Sequence, residues 1–351
     1  MEETISQKKK EEMPEEEKVG TFGKIKRPTS CSLVVINGCP LRCKMCHMWK
    51  APSMDNEVKI DELIPFVDKV KEVLIGEKEL VISGGEPLMK KGVLDLVSHA
   101  SRSGLKTIMP TNGCLIDEKM AKKIADSGLS EIFISLDSFN PKTHDFLRGV
   151  EGAYDKVMKA IEYLSKYSTD TKINILTVLS GVNITEVIEH MHRIHNDPRL
   201  AGVYFQAVQE PFWSQAGPEW YEKEEFKFLW PKDSDYVEKV LDELNYLKHE
   251  KSMMVHNHSE QLEIFKAYFK NPRKRARKGP CYIGDYVINV NPQGDIFLCC
   301  LSIPIGNIRR DDIRNLWFSG SVHIFRQLMH NCTLYCHNMV NCFFKEDNEI
   351  G

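Results

Sequence analysis

What the sequence lacks narrows the field. No stretch approaches the roughly 18–20 consecutive apolar residues of a membrane helix, so no span is expected. The opening residues, MEETISQKKKEEMPEEEK, have no apolar core of a secretion signal, so a cytoplasmic location is expected. No large excess of one charge is present. Lys+Arg 47 against Asp+Glu 50 gives −3, so nothing global draws the chain to nucleic acid. It is not poor in apolar residues either: 42% hydrophobic and 28% charged excludes wholesale disorder. A chain of 351 residues buries a core without staples, so its 11 cysteines need not be disulfides. They read as free, catalytic or metal-bound thiols.

The chain divides by pattern into four parts. Residues 1–22 are charge-dense and read as a disordered tail. Residues 23–209 alternate Val/Ile-rich runs with amphipathic stretches. Strands are expected at Ser32–Ile36, Leu80–Ser83, Thr107–Pro110, Ile132–Leu136, Ile173–Leu179 and Val203–Val208. Helices are expected at Ile60–Leu74, Val93–Ala100, Glu118–Ser127, Ala153–Lys166 and Ile184–Ile194, with N-caps at Asp117 and Asn183. This is an α/β unit of parallel strands, whose chemistry gathers at the strands' carboxyl ends. Residues 210–279 hold Trp213, Trp220 and Trp230 among prolines, then two helices, Ser234–Leu247 and His258–Phe269, and a basic run. The three tryptophans suggest an ordered lid over a pocket, with Trp213 or Trp220 touching the substrate space. Plain core packing is the competing reading. Residues 280–351 form a small cysteine-rich module with a strand-turn-strand pattern over Tyr286–Leu298.

After the first strand comes Asn37-Gly-Cys39-Pro-Leu-Arg-Cys43-Lys-Met-Cys46-His47. Four ligands would close a metal site; three thiolates leave one position open for chemistry. A zinc site with His47 as fourth ligand is the bland alternative. Cys31 reads as an ordinary buried thiol. The second strand runs into Ser83-Gly84-Gly85-Glu86-Pro87, a turn whose glycines let backbone approach a ligand closely.

Cys39-x3-Cys43-x2-Cys46 resembles the signature of radical S-adenosylmethionine (radical SAM) enzymes. The resemblance implies a (β/α)6 partial TIM barrel with a [4Fe–4S] cluster on these thiolates, its open iron chelated by SAM. Gly84, Gly85, Glu86 and Pro87 look like the family's GGEP motif, implying that Glu86 meets the SAM ammonium. Asn112 in Thr111-Asn112-Gly113, Ser135 and Asp137 in the fourth-strand motif, and Arg148 in Asp145-x2-Arg148-Gly149 are weaker matches at strand ends. Their polar side chains are expected near the SAM carboxylate or ribose. Asn174 and Gln206 either face the nucleoside or are satisfied core amides.

Downstream, Gly294-x4-Cys299 preceded by Cys281, then Cys332, Cys336 and Cys342, resembles the SPASM/twitch extension of that family. It implies one auxiliary [4Fe–4S] cluster. Cys281, Cys299, Cys336 and Cys342 are the leading set, Cys332 is close behind, and Cys300 is a bystander. A zinc ribbon is the alternative. Cys114 reads as inert. The basic run over residues 266–278 reads first as a solvated linker, with a tRNA-modifying role a distant third function. His256-Asn257-His258 read as surface residues.

The resemblance implies reductive cleavage of SAM to a 5'-deoxyadenosyl radical that takes a hydrogen atom from substrate. Oxidation, epimerisation or cross-linking of a small polar molecule is expected, with ribosomal peptide or protein side-chain modification as the alternative. A zinc-stabilised binding protein is the non-enzymatic alternative. Expected partners are SAM, an electron donor such as flavodoxin or ferredoxin, and the substrate; no membrane and no nucleic acid are expected.

Overall fold

The computed structural model describes residues 16–18, 24–51, 56–275, 279–334, 336 and 340–341. Strands β1 (Glu16–Lys18) and β2 (Lys24–Lys26) pair antiparallel, so part of the expected tail is ordered. Six parallel strands follow in chain order: β3 (Ser30–Val34), β4 (Glu79–Ser83), β5 (Lys106–Thr111), β6 (Glu131–Ser135), β7 (Lys172–Leu179) and β8 (Gly202–Ala207). Each lies within two residues of its expected place.

Between them run α1 (Ile60–Val73), α2 (Val93–Arg102), α3 (Glu118–Ser127), α4 (Pro141–Arg148), α5 (Ala153–Tyr167) and α6 (Val187–His195). α4 falls in a stretch that reads from sequence as a loop. Its signals are there all the same: Asn140 caps the Lys142 amide at 3.1 Å, and Pro141 starts the helix. Asp117 caps α3 as expected, accepting from Met120 at 2.7 Å. Asn183 does not cap. Its Oδ1 accepts from Ser180, and its Nδ2 donates to the carbonyls of Asp137 and Val178 at 2.9 Å, tying two strand ends together.

Helices α7 (Ser234–Glu250) and α8 (Ser259–Lys270) pack on each other, α7 also on α6, and Gln261 of α8 hydrogen-bonds Tyr204 of β8. The C-terminal module holds α9 (Ile283–Tyr286), β9 (Val287–Val290), β10 (Asp295–Phe297), β11 (Gly306–Asn307), α10 (Ile313–Trp317) and α11 (Gly320–His330). Its strands extend the main sheet: β9 joins β3 in parallel, and β10 and β11 follow antiparallel, giving nine strands among the described residues.

The two faces of this sheet differ. Cys31, Leu33, Leu80, Ile82, Ile132, Ile134, Ile175 and Phe205 are buried against the helices. The alternate residues, Ser32, Val34, Val81, Ile108, Phe133, Leu176, Val178, Tyr204, Gln206 and Asn289, are all half-exposed. In strands successive side chains take opposite faces, so the concave face is an open lumen. Its amino-terminal floor is ionic. Lys106 Nζ lies 2.7 Å from Glu77, 3.1 Å from Glu79 and 3.3 Å from Glu131. Asn174 is a satisfied core amide there, donating to Glu131 and paired at 2.8 Å with the half-buried His256. Asn174 is thus the satisfied core amide of the two readings its sequence allowed, whereas His256 is half-buried and not a surface residue.

The free edge of β8 is covered. Asn257 accepts from the Phe205 amide at 2.7 Å and donates to its carbonyl at 2.8 Å. Asn341 does the same for Ala207, at 2.8 Å both ways. Two side-chain amides thus replace a neighbouring strand.

Candidate active site: a clamped cysteine loop and a second thiol cluster

The loop bearing Cys39, Cys43 and Cys46 leaves the carboxyl end of β3 and is gripped from two sides. On one side Gly85 N donates to the Ile36 carbonyl at 2.8 Å and Glu86 N to the Gly38 carbonyl at 2.9 Å. A Cβ on Gly84 would lie 2.6 Å from the Ile36 oxygen, and one on Gly85 would lie 2.3 Å from that of Asn37. Both glycines are therefore required by the cysteine loop itself, before any ligand is considered. On the other side the C-terminus of α4 holds the loop: Arg42 N and Lys44 N donate to the carbonyls of Arg148 and Leu147 at 3.1 and 2.8 Å. Gly149 ends α4 at φ +68°, and a Cβ there would sit 2.1 Å from the Arg42 oxygen.

Glu86 is fully buried. Its carboxylate accepts from Leu88 N (3.1 Å), Thr111 Oγ1 (2.8 Å) and Asn112 N (2.8 Å), joining the β4 turn to the end of β5. Burial pushes its pKa up against these three donors. Three of its roughly four acceptor positions are thus taken within the chain. Pro87 opens the short turn that follows.

Asp137 is also occupied. Arg148 Nη2 donates to its Oδ1 at 2.9 Å, Nε lies 2.7 Å from Oδ2, and Val178 N donates to Oδ1 at 3.1 Å. Asp137 therefore buttresses Arg148. Arg148 in turn hydrogen-bonds the Cys43 thiol. Asn112 Nδ2 lies 3.7 Å from Cys39 Sγ. Ser135, at the end of β6, makes no side-chain hydrogen bond among the described residues.

Burial dominates the three thiols. It pushes Cys39 up to about 11 and Cys46 up to about 12, and raises Cys43, against which Arg148 pulls down. One buried and two half-buried thiols with a guanidinium and an amide directed at them fit a cationic iron–sulfur cluster that keeps them as thiolates. His47 is packed between Trp49 and Phe226, with ring centroids 5.7 and 5.6 Å away. Among the described residues no His, Cys, Asp and Glu groups converge as ligands of a single metal ion.

The second cluster is gathered by the C-terminal module. Cys281 is buried with Ile283 and Tyr286, and Cys299, Cys332 and Cys336 pack against them. Cys332 thus packs with this group. Cys342 lies outside the described residues. Cys300 is exposed and hydrogen-bonds Cys299. Cys31 is fully buried, as expected. The two thiol sites flank the lumen at opposite ends of the β3–β9 pair. The cysteine loop follows Val34, whereas Thr29 N donates to Tyr286 O at the other end. Five residues of β3 separate those ends, about 17 Å of strand.

Trp220 is fully buried and packs on Tyr221 and Trp230, at centroid distances of 6.0 and 5.8 Å. It is core and not lid. Trp213 is 47% exposed at φ +61°. A cavity of about 650 Å³ opens at the amino-terminal rim, lined by Glu77, Lys106, Glu131 and Lys172. It faces away from the cysteine loop and has no part in this chemistry.

A parallel partial barrel with three thiols after its first strand, extended by a module that groups four of its six cysteines, defines an iron–sulfur enzyme class. The family profile of the radical SAM superfamily matches residues 33–194, and that of an iron–sulfur cluster-binding domain, SPASM, matches residues 281–342. The chain belongs to the radical SAM superfamily and carries a SPASM-type module; its cofactors are SAM and [4Fe–4S] clusters. It is 28% identical to an AdoMet-dependent heme synthase of Methanosarcina barkeri over 83% of this chain and 82% of that one. It is 35% identical to an Fe-coproporphyrin III synthase of the same organism, over 47% of this chain but only 40% of that one. Streptococcus suis SuiB bound to S-adenosylmethionine shares the fold at TM-score 0.68 and 15% identity, covering 92% of this chain and 77% of that one. Among the described residues no helix is long and apolar enough to cross a membrane.

Proposed function

We propose that this enzyme oxidises a broad, largely apolar, ring-type substrate of the iron-porphyrin kind within the lumen. The observation that carries the reading is the lumen wall. Val34, Val81, Ile108, Phe133, Leu176 and Val178 face it, with only Ser32, Tyr204, Gln206 and Asn289 as neutral polar groups among the half-exposed residues named above. Such a wall suits an apolar body better than the small polar molecule expected from sequence. The match to a heme synthase along most of both chains supports it.

Bound to Cys39, Cys43 and Cys46, the cluster with SAM supplies the 5'-deoxyadenosyl radical that takes a hydrogen atom from substrate. The chain's own residues do the rest. Arg148 and Asn112 hold the thiol loop's charge, and Gly84–Pro87 and α4 fix its position. The carbonyls of Gly84 and Gly85, more than the Glu86 side chain, and the Ser135 hydroxyl are what the chain offers to SAM. Cys281, Cys299, Cys332 and Cys336 would hold the auxiliary cluster, which would supply a one-electron acceptor beside the lumen.

A peptide substrate is the second reading. A bound peptide often adds a strand to a sheet edge. Asn257 and Asn341 already cover the β8 edge, which weighs against that mode. The test is an anaerobic titration of reconstituted enzyme with iron coproporphyrin III, followed by its visible spectrum, and a parallel assay of 5'-deoxyadenosine. A saturable spectral shift with porphyrin-dependent 5'-deoxyadenosine is expected. Absence of binding, or equal 5'-deoxyadenosine yield without porphyrin, would overturn the reading.

A further inference from the structure

One side-chain position on the lumen side of β8 is filled from elsewhere in the chain. The register aligns Phe133, Asn174 and Gly202 across β6, β7 and β8, so all three share the lumen side of the sheet. Gly202 has no side chain. A Cβ there would lie 2.6 Å from His256 Nε2 and as close to the Met254 carbonyl oxygen. The imidazole of His256 therefore stands where a β8 side chain would. The backbone beside it is fixed to the strand: Val203 N donates to the Met254 carbonyl at 2.9 Å, and His256 N to the Val203 carbonyl at 2.8 Å. The Phe133 ring meets the imidazole at an edge, with centroids 6.1 Å apart.

The two ring nitrogens are not equivalent. Nε2 lies 2.8 Å from Asn174 Oδ1. The Asn174 amide is oriented by its other end, where Nδ2 donates to Glu131 at 3.1 Å. Glu131 in turn lies 3.3 Å from Lys106. An amide oxygen only accepts, so Nε2 carries the ring proton and Nδ1 keeps its lone pair. Nδ1 makes no hydrogen bond among the described residues and is not sealed from solvent. Burial, against the pull of Glu131, holds the ring below the ordinary histidine value, so it is neutral at pH 7. A neutral imidazole whose N–H is anchored on a carbonyl, with a carboxylate behind it, is the arrangement of a metal-ligating histidine. The anchor fixes the tautomer and makes the other nitrogen a better donor to a metal.

We infer that His256 is the axial ligand of the substrate's iron, with Nδ1 as the donor atom. The inference rests on the reading of the substrate as an iron porphyrin. The step is coordination alone: the Nδ1 lone pair takes the place of a water on the iron, Nε2 keeps its proton, and no electron is transferred. The height in the barrel suits the chemistry. Ser135, at the carboxyl end of β6, stands two residues beyond Phe133, about 7 Å along the strand. An iron held at His256 therefore turns the rim of the porphyrin, and not its centre, toward the end of the barrel that carries the cysteine loop. The rim is where a porphyrin's side chains carry hydrogen atoms to abstract. A porphyrin without metal would gain nothing from this histidine.

The experiment uses the full chain with both clusters loaded, without SAM, and iron coproporphyrin III as probe. Resonance Raman spectra of the ferrous complex, excited in the porphyrin band, should show an iron–imidazole stretch that shifts when the protein carries isotope-labelled histidine. His256→Gly and His256→Gln should lose that band, with circular dichroism and iron–sulfur content unchanged. Imidazole added to His256→Gly should restore it. Affinity for iron coproporphyrin III should fall about tenfold or more in both variants, while metal-free coproporphyrin III binds them within about threefold of wild type. A wild-type complex without the band, or a band that survives in His256→Gly, overturns the assignment. Equal loss of the iron-bearing and metal-free porphyrins makes His256 part of the pocket wall and overturns the ligand role. Wild type that binds neither porphyrin overturns the substrate reading itself, and the assignment falls with it.

Discussion

Glu86→Gln is the most informative single change, because the sequence motif and the structure give it different outcomes. As a ligand to a bound ammonium, Gln would cost SAM affinity and little else. As the buried junction observed here, it must disrupt the fold. The carboxylate serves three donors, Leu88 N, Thr111 Oγ1 and Asn112 N. A carboxamide has one acceptor oxygen. If that oxygen faces Leu88 and Thr111, the amide NH2 meets the Asn112 N–H. If it faces Asn112, the NH2 meets the Leu88 N–H. Either way one buried donor is orphaned, at about 1–3 kcal/mol. The remaining bonds lose charge assistance, about 1 kcal/mol each. A neutral side chain relieves the burial that pushes the Glu86 pKa up, a partial offset. The expected net loss is about 2–4 kcal/mol. Urea denaturation of the cluster-free chain should show a lower midpoint at unchanged slope. Iron at the Cys39 site should fall, since Glu86 N holds Gly38. SAM affinity per loaded cluster should stay within about threefold, an effect of roughly 0.6 kcal/mol. Stability unchanged within about 0.5 kcal/mol together with a tenfold loss of SAM affinity would refute this account and return Glu86 to the ligand.

Other expectations follow from the same geometry. Gly149→Ala places a methyl 2.1 Å from the Arg42 carbonyl at a left-handed φ; iron content should show selective loss at the first site while the auxiliary iron stays. Alanine at Cys39, Cys43 and Cys46 together should leave about four of about eight irons, and so should serine at Cys281, Cys299, Cys332 and Cys336, whereas Cys300→Ser should keep all. Trp220→Ala should cost about 3–5 kcal/mol in denaturation, with Trp213→Ala within about 0.5 kcal/mol of wild type. The Arg309 hydrogen bond holds Glu62 down to about 2, tying α1 to the C-terminal module. A depressed carboxyl stabilises above its unfolded value near 4.5, and the benefit fades as pH falls toward 2. Wild type should therefore lose its margin over Glu62→Gln between pH 5 and 2, modestly because the pair is exposed; a constant margin across that window would remove the pair from the account.

Much of this protein is local and so legible in its sequence. The order of strands and helices follows from periodicity, which each segment carries by itself, and the cysteine spacing places three thiols in one short loop whatever surrounds it. The lower-order signals were there as well: Asn140-Pro141 marks the start of α4 to a reader who weighs caps above composition. What tertiary structure alone decided is partnership across distance. Glu86 and Asp137 look like open acceptors until β5 and α4 bring Thr111, Asn112 and Arg148 against them, 11 to 26 residues away. Gly85 looks like room for a ligand until the cysteine loop fills it. Asn257 and Asn341 look like loop amides until both are found bonded to one strand edge, 52 and 134 residues away. Trp220 reads as a lid because its burial depends on Trp230 and α8, which no local window contains. A polar side chain's role is set by which donor or acceptor reaches it first, and for these residues the fold supplies that partner from a distant part of the chain.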